Sequence, residues 1–373
     1  MRLRSNQFNC LIVGAGPAGL GMATALSHCG MSRFAILERH EVGASFLRWP
    51  KEMRLITPSF PTNSIGMLDL NAVAIGTSPG FSLRVEHPTG VQYAAYLQAV
   101  AEHFSLPIKT GIDVHAIESD GEWFRVETSE GRFQSKFVVW AAGEFQYPRL
   151  RPFPGSELCI HNSQVRSWTK VKGRECIVIG GYESGIDAAV HLAQANKRVR
   201  VVERQSSWAS DSSDPSITLS PFTHERLVAQ QQAKRIELID SFEVERIEKG
   251  TWQYRVTDSF GRTLKTGSPP ILATGFEGSL QLVRDHFELR EDGFPLLTEE
   301  DESTVAPGLF LTGPAVRHDK HVFCFIYKFR QRFAVVARAI GQRLELDTSA
   351  LETYRQWGMF LDDLSCCGQE CVC

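Results

Sequence analysis

The chain has 373 residues, 43% hydrophobic and 22% charged, which suits packed globular cores and excludes disorder, a collagen-like rod or a coiled coil as an overall description. A net charge of −3, from 40 basic against 43 acidic side chains, leaves no broad electrostatic footprint for nucleic acid or an anionic membrane. No apolar run reaches the roughly 20 residues of a membrane span. The apolar stretch after the basic Met1–Arg4 runs straight into a glycine-rich turn with no cleavage-like site, so a cytoplasmic protein is expected. Nine cysteines, an odd number in a long chain, do not make a secreted disulfide framework.

Residues 8–13 form a short apolar strand that feeds Gly14-x-Gly16-Pro17-Ala18-Gly19, and a helix pattern follows through Leu26. A second apolar strand, 34–37, ends in Glu38, 24 positions after Gly14. This is the dinucleotide fingerprint with each part in place. Gly14 permits the tight turn, Gly16 lets backbone approach a pyrophosphate, and Gly19 lets the helix pack on the strand. The helix N-terminus faces the phosphates, and Glu38 suits ribose hydroxyls. Residues 50–95 then form a long insertion, with Met53, Leu55, Phe60, Ile65 and Phe81 as the apolar content of a vestibule or of an ordinary packed loop. Val114, Ile117, Phe124, Val126 and 137–140 alternate around Asp120-Gly121 and Glu130-Gly131, which reads as a β-meander ending in Ala141-Ala142-Gly143.

The plan then repeats. Residues 176–179 lead into Gly180-Gly181-Tyr182-Glu183-Ser184-Gly185, a helix pattern to Ala195, and a strand 198–202 ending in Glu203-Arg204. Tyr182 takes the middle-glycine place, where a side chain crowds a pyrophosphate, while the neighbouring Gly181 gives the turn room to shift. A second meander over 240–275 ends in Ala273-Thr274-Gly275. The fold class is therefore α/β, a duplicated Rossmann-like nucleotide-binding unit with a meander in each copy.

Two such units resemble the two-dinucleotide-binding flavoproteins, the superfamily of thioredoxin reductase-like, glutathione reductase-like and flavin-containing monooxygenase-like enzymes, over residues 8 to about 341. The resemblance implies two three-layer ββα domains: a discontinuous FAD-binding domain, 1–150 and 277–345, and an NAD(P)H-binding domain, 151–276, inserted in it. A C-terminal extension, 346–373, follows. For FAD it points to Gly14, Gly16, Pro17, Ala18, Gly19, Glu38, Arg39, Arg48, Trp49, Val114, Ala142, Gly143, Gly313, Val322 and Phe323. For the second dinucleotide it points to Gly180, Gly181, Tyr182, Glu183, Ser184, Glu203 and Arg204. In Gly308–Pro314 the family's flavin-holding aspartate is replaced by Pro314, and a helix over 323–340 is expected to aim its N-terminus at the flavin. Glu203 suits NADH, whereas Arg204 with Lys197 and Arg198 suits NADPH. The Tyr182 departure admits another dinucleotide or a ferredoxin donor. The spacing from Phe153 through Gly155 to His161 does not meet the monooxygenase fingerprint.

The family's usual dithiols, CxxC in the NAD(P)H domain and CxxxxC after the ribose acid, are absent from this sequence. The tail instead reads Ser365-Cys366-Cys367-Gly-Gln-Glu-Cys371-Val-Cys373, four of nine cysteines in eight positions. Two functional readings stand. One is a redox tail carrying electrons from flavin to a small-molecule or protein disulfide. The other is a soft-metal site for Cu(I), Zn or Hg. A tail with no special role is the third reading. Cys324 is a further thiol candidate beside the expected helix, or a small hydrophobe in an aromatic wall. His318, Lys320 and His321 are proton-donor candidates or ordinary loop charges. The expectation is an FAD-dependent oxidoreductase, with flavin monooxygenase and redox-sensing or metal-binding flavoprotein as alternatives. The likeness also admits a homodimer.

Overall fold

The computed structural model describes residues 6–61, 66–210, 212 and 214–365. These divide into two compact units, one holding 6–47, 58–144 and 278–365, the other 48–57 and 145–277.

The first unit opens with β1 (Gln7–Val13), α1 (Pro17–His28) and β2 (Phe34–Glu38). Every residue of β2 and the last four of β1 are buried, as parallel strands covered on both faces require. The short α2 (Ala44–Leu47) and α3 (Pro79–Leu83) precede α4 (Gly90–His103). Thr89 and Gln92 close a reciprocal capping box at the start of α4. Next come β3 (Ile108–Thr110), β4 (Val114–Ser119), β5 (Phe124–Thr128) and the ten-residue β6 (Gly131–Trp140).

The second unit contains β7 (Ile160–His161), β8 (Glu175–Ile179), α5 (Glu183–Gln194), β9 (Arg198–Val202), α6 (Pro221–Gln232) and β10 (Ile236–Ile239). The antiparallel β11 (Val244–Lys249), β12 (Tyr254–Asp258) and β13 (Thr263–Thr266) follow, then β14 (Ile271–Leu272). Its parallel sheet has the order β10-β9-β8-β14-β7. Cys176 and Val178 of β8 pack into the core on the helix side, with Ile186 and Leu227. Ile177 and Ile179 face the opposite way, toward Ile247 and Val256 of the meander. The two-residue period of the strand thus builds three layers from one continuous apolar run.

The chain returns to the first unit through β15 (Leu309–Leu311), the hairpin β16 (Arg317–His318) and β17 (His321–Val322), α7 (Ile326–Phe329), α8 (Phe333–Arg343) and α9 (Glu352–Gln356). The sheet order is β3-β2-β1-β6-β5-β4, with β15 also on β6. On one edge β6 pairs antiparallel with β5 through its first half and parallel with β15 through its last three residues.

Both expected meanders are present, and they differ in one respect: β6 runs unbroken from the first meander into the parallel sheet, whereas β13 and β14 lie in separate sheets. Gly267-Ser268-Pro269-Pro270 stands between them, and prolines supply no N–H to a ladder. The helix expected over 323–340 starts at Ile326 and is interrupted by a 3-10 turn, Arg330–Arg332. Both arginines there are buried. Arg330 donates to the carbonyls of Asp69 and Ala72, and Arg332 to the Asp301 carboxylate and to the carbonyls of Glu299 and Leu361.

Candidate functional site

The first crevice forms at the carboxyl ends of β1, β2, β6 and β15. Gly14 has φ +105°, and a Cβ there would stand 2.6 Å from the Ala141 carbonyl oxygen. A Cβ on Gly19 would lie 1.9 Å from the Gly14 carbonyl oxygen, so helix and turn touch only because Gly19 lacks one. Gly16 differs, with no heavy atom within 4 Å of its Cβ position. Two glycines therefore serve packing, and the third faces open space, as close approach of a pyrophosphate demands. Pro17 opens α1 with no needed donor lost. Glu38 is buried at the end of β2, accepting from the amides of Ala15 and His40, each at 2.8 Å.

Gly313, after β15, has its Cβ position 3.4 Å from Ala18, so the last strand meets the start of α1. Beside it the Thr312 hydroxyl is buried with no hydrogen-bond partner among the described residues. An orphan hydroxyl and an open glycine at the strand ends fit a bound dinucleotide such as FAD. Ala142 and Gly143 follow β6, and Arg39 stands 3.8 Å from Asp113. Val114 is buried at the start of β4, and Phe323 is buried just after β17. Arg48 and Trp49 belong to the second unit. There Arg48 donates to Gln146 at 2.9 Å and Trp49 lies 6.4 Å from the ring of Phe145.

The second unit repeats the cradle in its backbone. Gly180 has φ +105° with a Cβ position 2.3 Å from Ala273 O, and that of Gly185 lies 1.9 Å from Gly180 O. Glu203 accepts from the amides of Gly181 at 2.5 Å and Arg204 at 2.9 Å. Thr274, like Thr312, holds a buried hydroxyl without a partner among the described residues. The repeated Thr-Gly after each final strand was visible in the sequence, but nothing there shows that the two hydroxyls are buried.

The space above the second cradle is filled differently. The Tyr182 hydroxyl donates to Pro215 O at 2.6 Å. A Cβ on Gly181 would meet the Trp208 ring at 2.2 Å. Glu183, the first residue of α5, accepts from Ser220 N at 2.5 Å and from Thr223 Oγ1 at 2.6 Å. Burial pushes its carboxyl above the usual range. The turn has dinucleotide geometry, but with Tyr182 and Trp208 as they stand its side chains do not fit a pyrophosphate.

Burial raises the thiol pKa of Cys10 and Cys176, of Cys29 to about 11 and of Cys159 to about 12, so none of these is a ready thiolate. Cys324 is half-buried between β17 and α7. Arg317 is fixed by donation to Pro314 O at 2.6 Å and lies over the Phe294 ring at 4.1 Å. His318 is held at 2.5 Å by the Asp301 carboxylate, and Lys320 is exposed. His161 is buried, bonded to Ser163 and to Gly275 O. Cys366, Cys367, Cys371 and Cys373 lie outside the described residues.

A doubled Rossmann unit with a glycine cradle and terminal acid in each copy defines the two-dinucleotide class of flavoprotein fold. The family model for pyridine nucleotide-disulphide oxidoreductases matches residues 11–313, and the chain belongs to that family. A CzcO-like oxidoreductase of Geobacillus kaustophilus is 26% identical over 191 residues, 49% of this chain and 51% of the relative. The chain thus spans about half the length of the first curated relatives it matches. The bacilliredoxin reductase Bdr of Bacillus subtilis is 23% identical over 340 residues, 90% of this chain and 98% of that protein. Among solved structures, the bacillithiol disulfide reductase Bdr of Staphylococcus aureus superposes with a TM-score of 0.73 at 19% identity, covering 91% of this chain and 99% of that one. A flavin-containing monooxygenase from Stenotrophomonas maltophilia gives 0.72 at 15% identity, covering 91% and 99%. These structural likenesses establish the shared fold. No helix among the described residues is long and apolar enough to cross a membrane.

Proposed function

We propose that the chain is an FAD-dependent oxidoreductase that moves electron pairs from a reduced pyridine nucleotide to a disulfide. The observation that carries the reading is the first cradle, open at Gly16 and rimmed by Glu38 and the orphan Thr312 hydroxyl. In it, the Gly14–Gly19 turn and the start of α1 hold the diphosphate, Glu38 takes the ribose hydroxyls, and Thr312 supplies a hydrogen bond near the strand ends. The bound flavin supplies two-electron chemistry that side chains alone do not.

Reduction of a disulfide to two thiols takes two electrons and two protons; the nucleotide gives a hydride and solvent gives the second proton. The terminal cysteines Cys366, Cys367, Cys371 and Cys373 are the thiols we assign to the relay, and the similarity to a bacilliredoxin reductase over most of both chains supports a disulfide acceptor. The second cradle, through Gly180, Glu203 and Thr274, is assigned to the pyridine nucleotide, which requires both the Tyr182 and the Trp208 rings to leave the space above the turn.

Anaerobic mixing of the FAD-loaded protein with NADH, NADPH and reduced ferredoxin in turn tests the donor. Bleaching by a nicotinamide is expected, and bleaching by ferredoxin alone would remove the nucleotide from the scheme. A chain ending at Ser365 should still bleach but lose disulfide turnover; full turnover in that variant counts against the relay. The likeness to a flavin-containing monooxygenase supports a second reading, which consumption of one oxygen per substrate would favour.

A further inference from the structure

The second unit carries, apart from its glycine cradle, a cavity of about 820 Å³. Its walls come from residues 51–54, from Arg166 and the 3-10 turn Trp168–Lys170, from the C-terminal half of α5 and from the start of α6. His191 in its wall follows Glu183 by eight positions, about 12 Å along the helix axis. The helix of a strand–helix–strand unit runs back against the strands, so the cavity lies toward the amino ends of β8 and β9. Dinucleotides bind at the opposite, carboxyl ends.

Five cationic side chains line the cavity: Lys51, Arg54, Arg166, Lys170 and Arg226. The single acid in the lining, Glu52, is already committed, accepting from Ser167 Oγ at 2.5 Å and from Trp168 N at 3.1 Å. Arg226 is held rigid by Asp187 at 2.9 Å, with its guanidinium 4.0 Å from the Phe222 ring centroid. Lys51 and Lys170 are exposed and make no ion pair with a described residue. In the wall, Nε2 of His191 is buried without a hydrogen-bond partner among the described residues, 3.4 Å from Asp187 Oδ1. A protein of net charge −3 thus gathers Lys51, Arg54, Arg166 and Lys170 around one concavity beside the Asp187-paired Arg226, an excess of positive charge over the Glu52 carboxylate that favours entry of an anion. The volume matches a nucleotide-sized ligand, and the planar guanidinium groups of Arg54 and Arg166 suit phosphate oxygens, while Arg226 is already engaged by Asp187, Thr223 and the Phe222 carbonyl.

We propose that this cavity is a binding site for an oligophosphate, a small polyanion with two or more linked phosphate groups. The site does not rest on the redox reading, since none of its residues belongs to either glycine cradle.

Calorimetric titration of the FAD-loaded full chain with sodium tripolyphosphate, ATP and inorganic phosphate tests it. Tripolyphosphate should bind one to one, at least tenfold tighter than inorganic phosphate, and weaken at least tenfold between about 50 and 200 mM salt. The exposed double variant R166A/K170A should lose at least tenfold in affinity with its flavin spectrum and melting temperature unchanged. Equal affinity for ATP and tripolyphosphate assigns the site to the phosphate chain alone; tighter ATP assigns it to a nucleotide. Absence of heat up to millimolar tripolyphosphate overturns the proposal. So does unaltered affinity in both R166A/K170A and K51A. Binding of polyglutamate but not tripolyphosphate overturns it in favour of a docking face for an acidic protein.

Discussion

Gly16 and Tyr182 stand at the same place in their two glycine-rich turns and share one backbone conformation, φ −86° and ψ −171° against φ −93° and ψ −167°. Both are extended, so the backbone accepts any residue there. What differs is the space above the turn, open at Gly16 and filled by a ring at Tyr182 that is tied to Pro215. The change is one of ligand access rather than of fold.

Removing that ring should open the second cradle. Tyr182→Gly combined with Trp208→Ala is expected to lower the nicotinamide concentration needed for half-maximal flavin bleaching by about tenfold, or about 1.4 kcal/mol. Both rings pack on the edge of the helix-side core, so a stability loss of about 2 kcal/mol should accompany the gain. Stopped-flow bleaching and urea melts read the two effects separately. A weaker nucleotide interaction in the variant would mean that the rings contact the nucleotide instead of excluding it.

The first cradle offers a paired test of packing against ligand space. Gly19→Ala drives a methyl into the Gly14 carbonyl and should cost about 3 kcal/mol in the flavin-free protein. Gly16→Ala places its methyl in open space, so the flavin-free protein should melt within about 0.5 kcal/mol of the parent. It should nevertheless retain less flavin through gel filtration. Thermal melts with and without FAD separate the two.

Asp301 and Arg332 are both fully buried and joined at 2.9 Å. Asp301 has φ +64°, a region asparagine tolerates, so Asp301→Asn isolates the charge. Leaving the guanidinium unpaired inside the protein should cost about 3 kcal/mol, measured by urea denaturation. His318, which bonds the same carboxylate, should lose its fixed position.

Asp362 accepts from Arg355 and Arg338, and these bonds hold its carboxyl well below the usual range. A depressed folded-state pKa adds stability that is present above the unfolded value near 3.9 and lost as pH falls toward the folded value. Asp362→Asn should therefore be destabilising at pH 7, with the difference from the parent shrinking below about pH 4. An undiminished difference at pH 3 would show that the carboxylate charge is not the source.

The sequence by itself determined the doubled strand–turn–helix plan, both terminal acids and both meanders, because glycine spacing and apolar periodicity are local consequences of backbone geometry. It located the Tyr182 departure as a break in that spacing, and the terminal cysteine cluster as a feature of local composition. Tertiary structure alone decided that residues 48–57 join the second unit, taking Arg48 and Trp49 with them, and that buried Arg330 and Arg332 interrupt the expected 323–340 helix. It also decided which hydroxyls are orphaned and that Lys51, Arg54, Arg166, Lys170 and Arg226 surround one cavity. Burial, desolvation and the meeting of side chains far apart in the chain are properties of packing, and residue order carries them only through the completed fold.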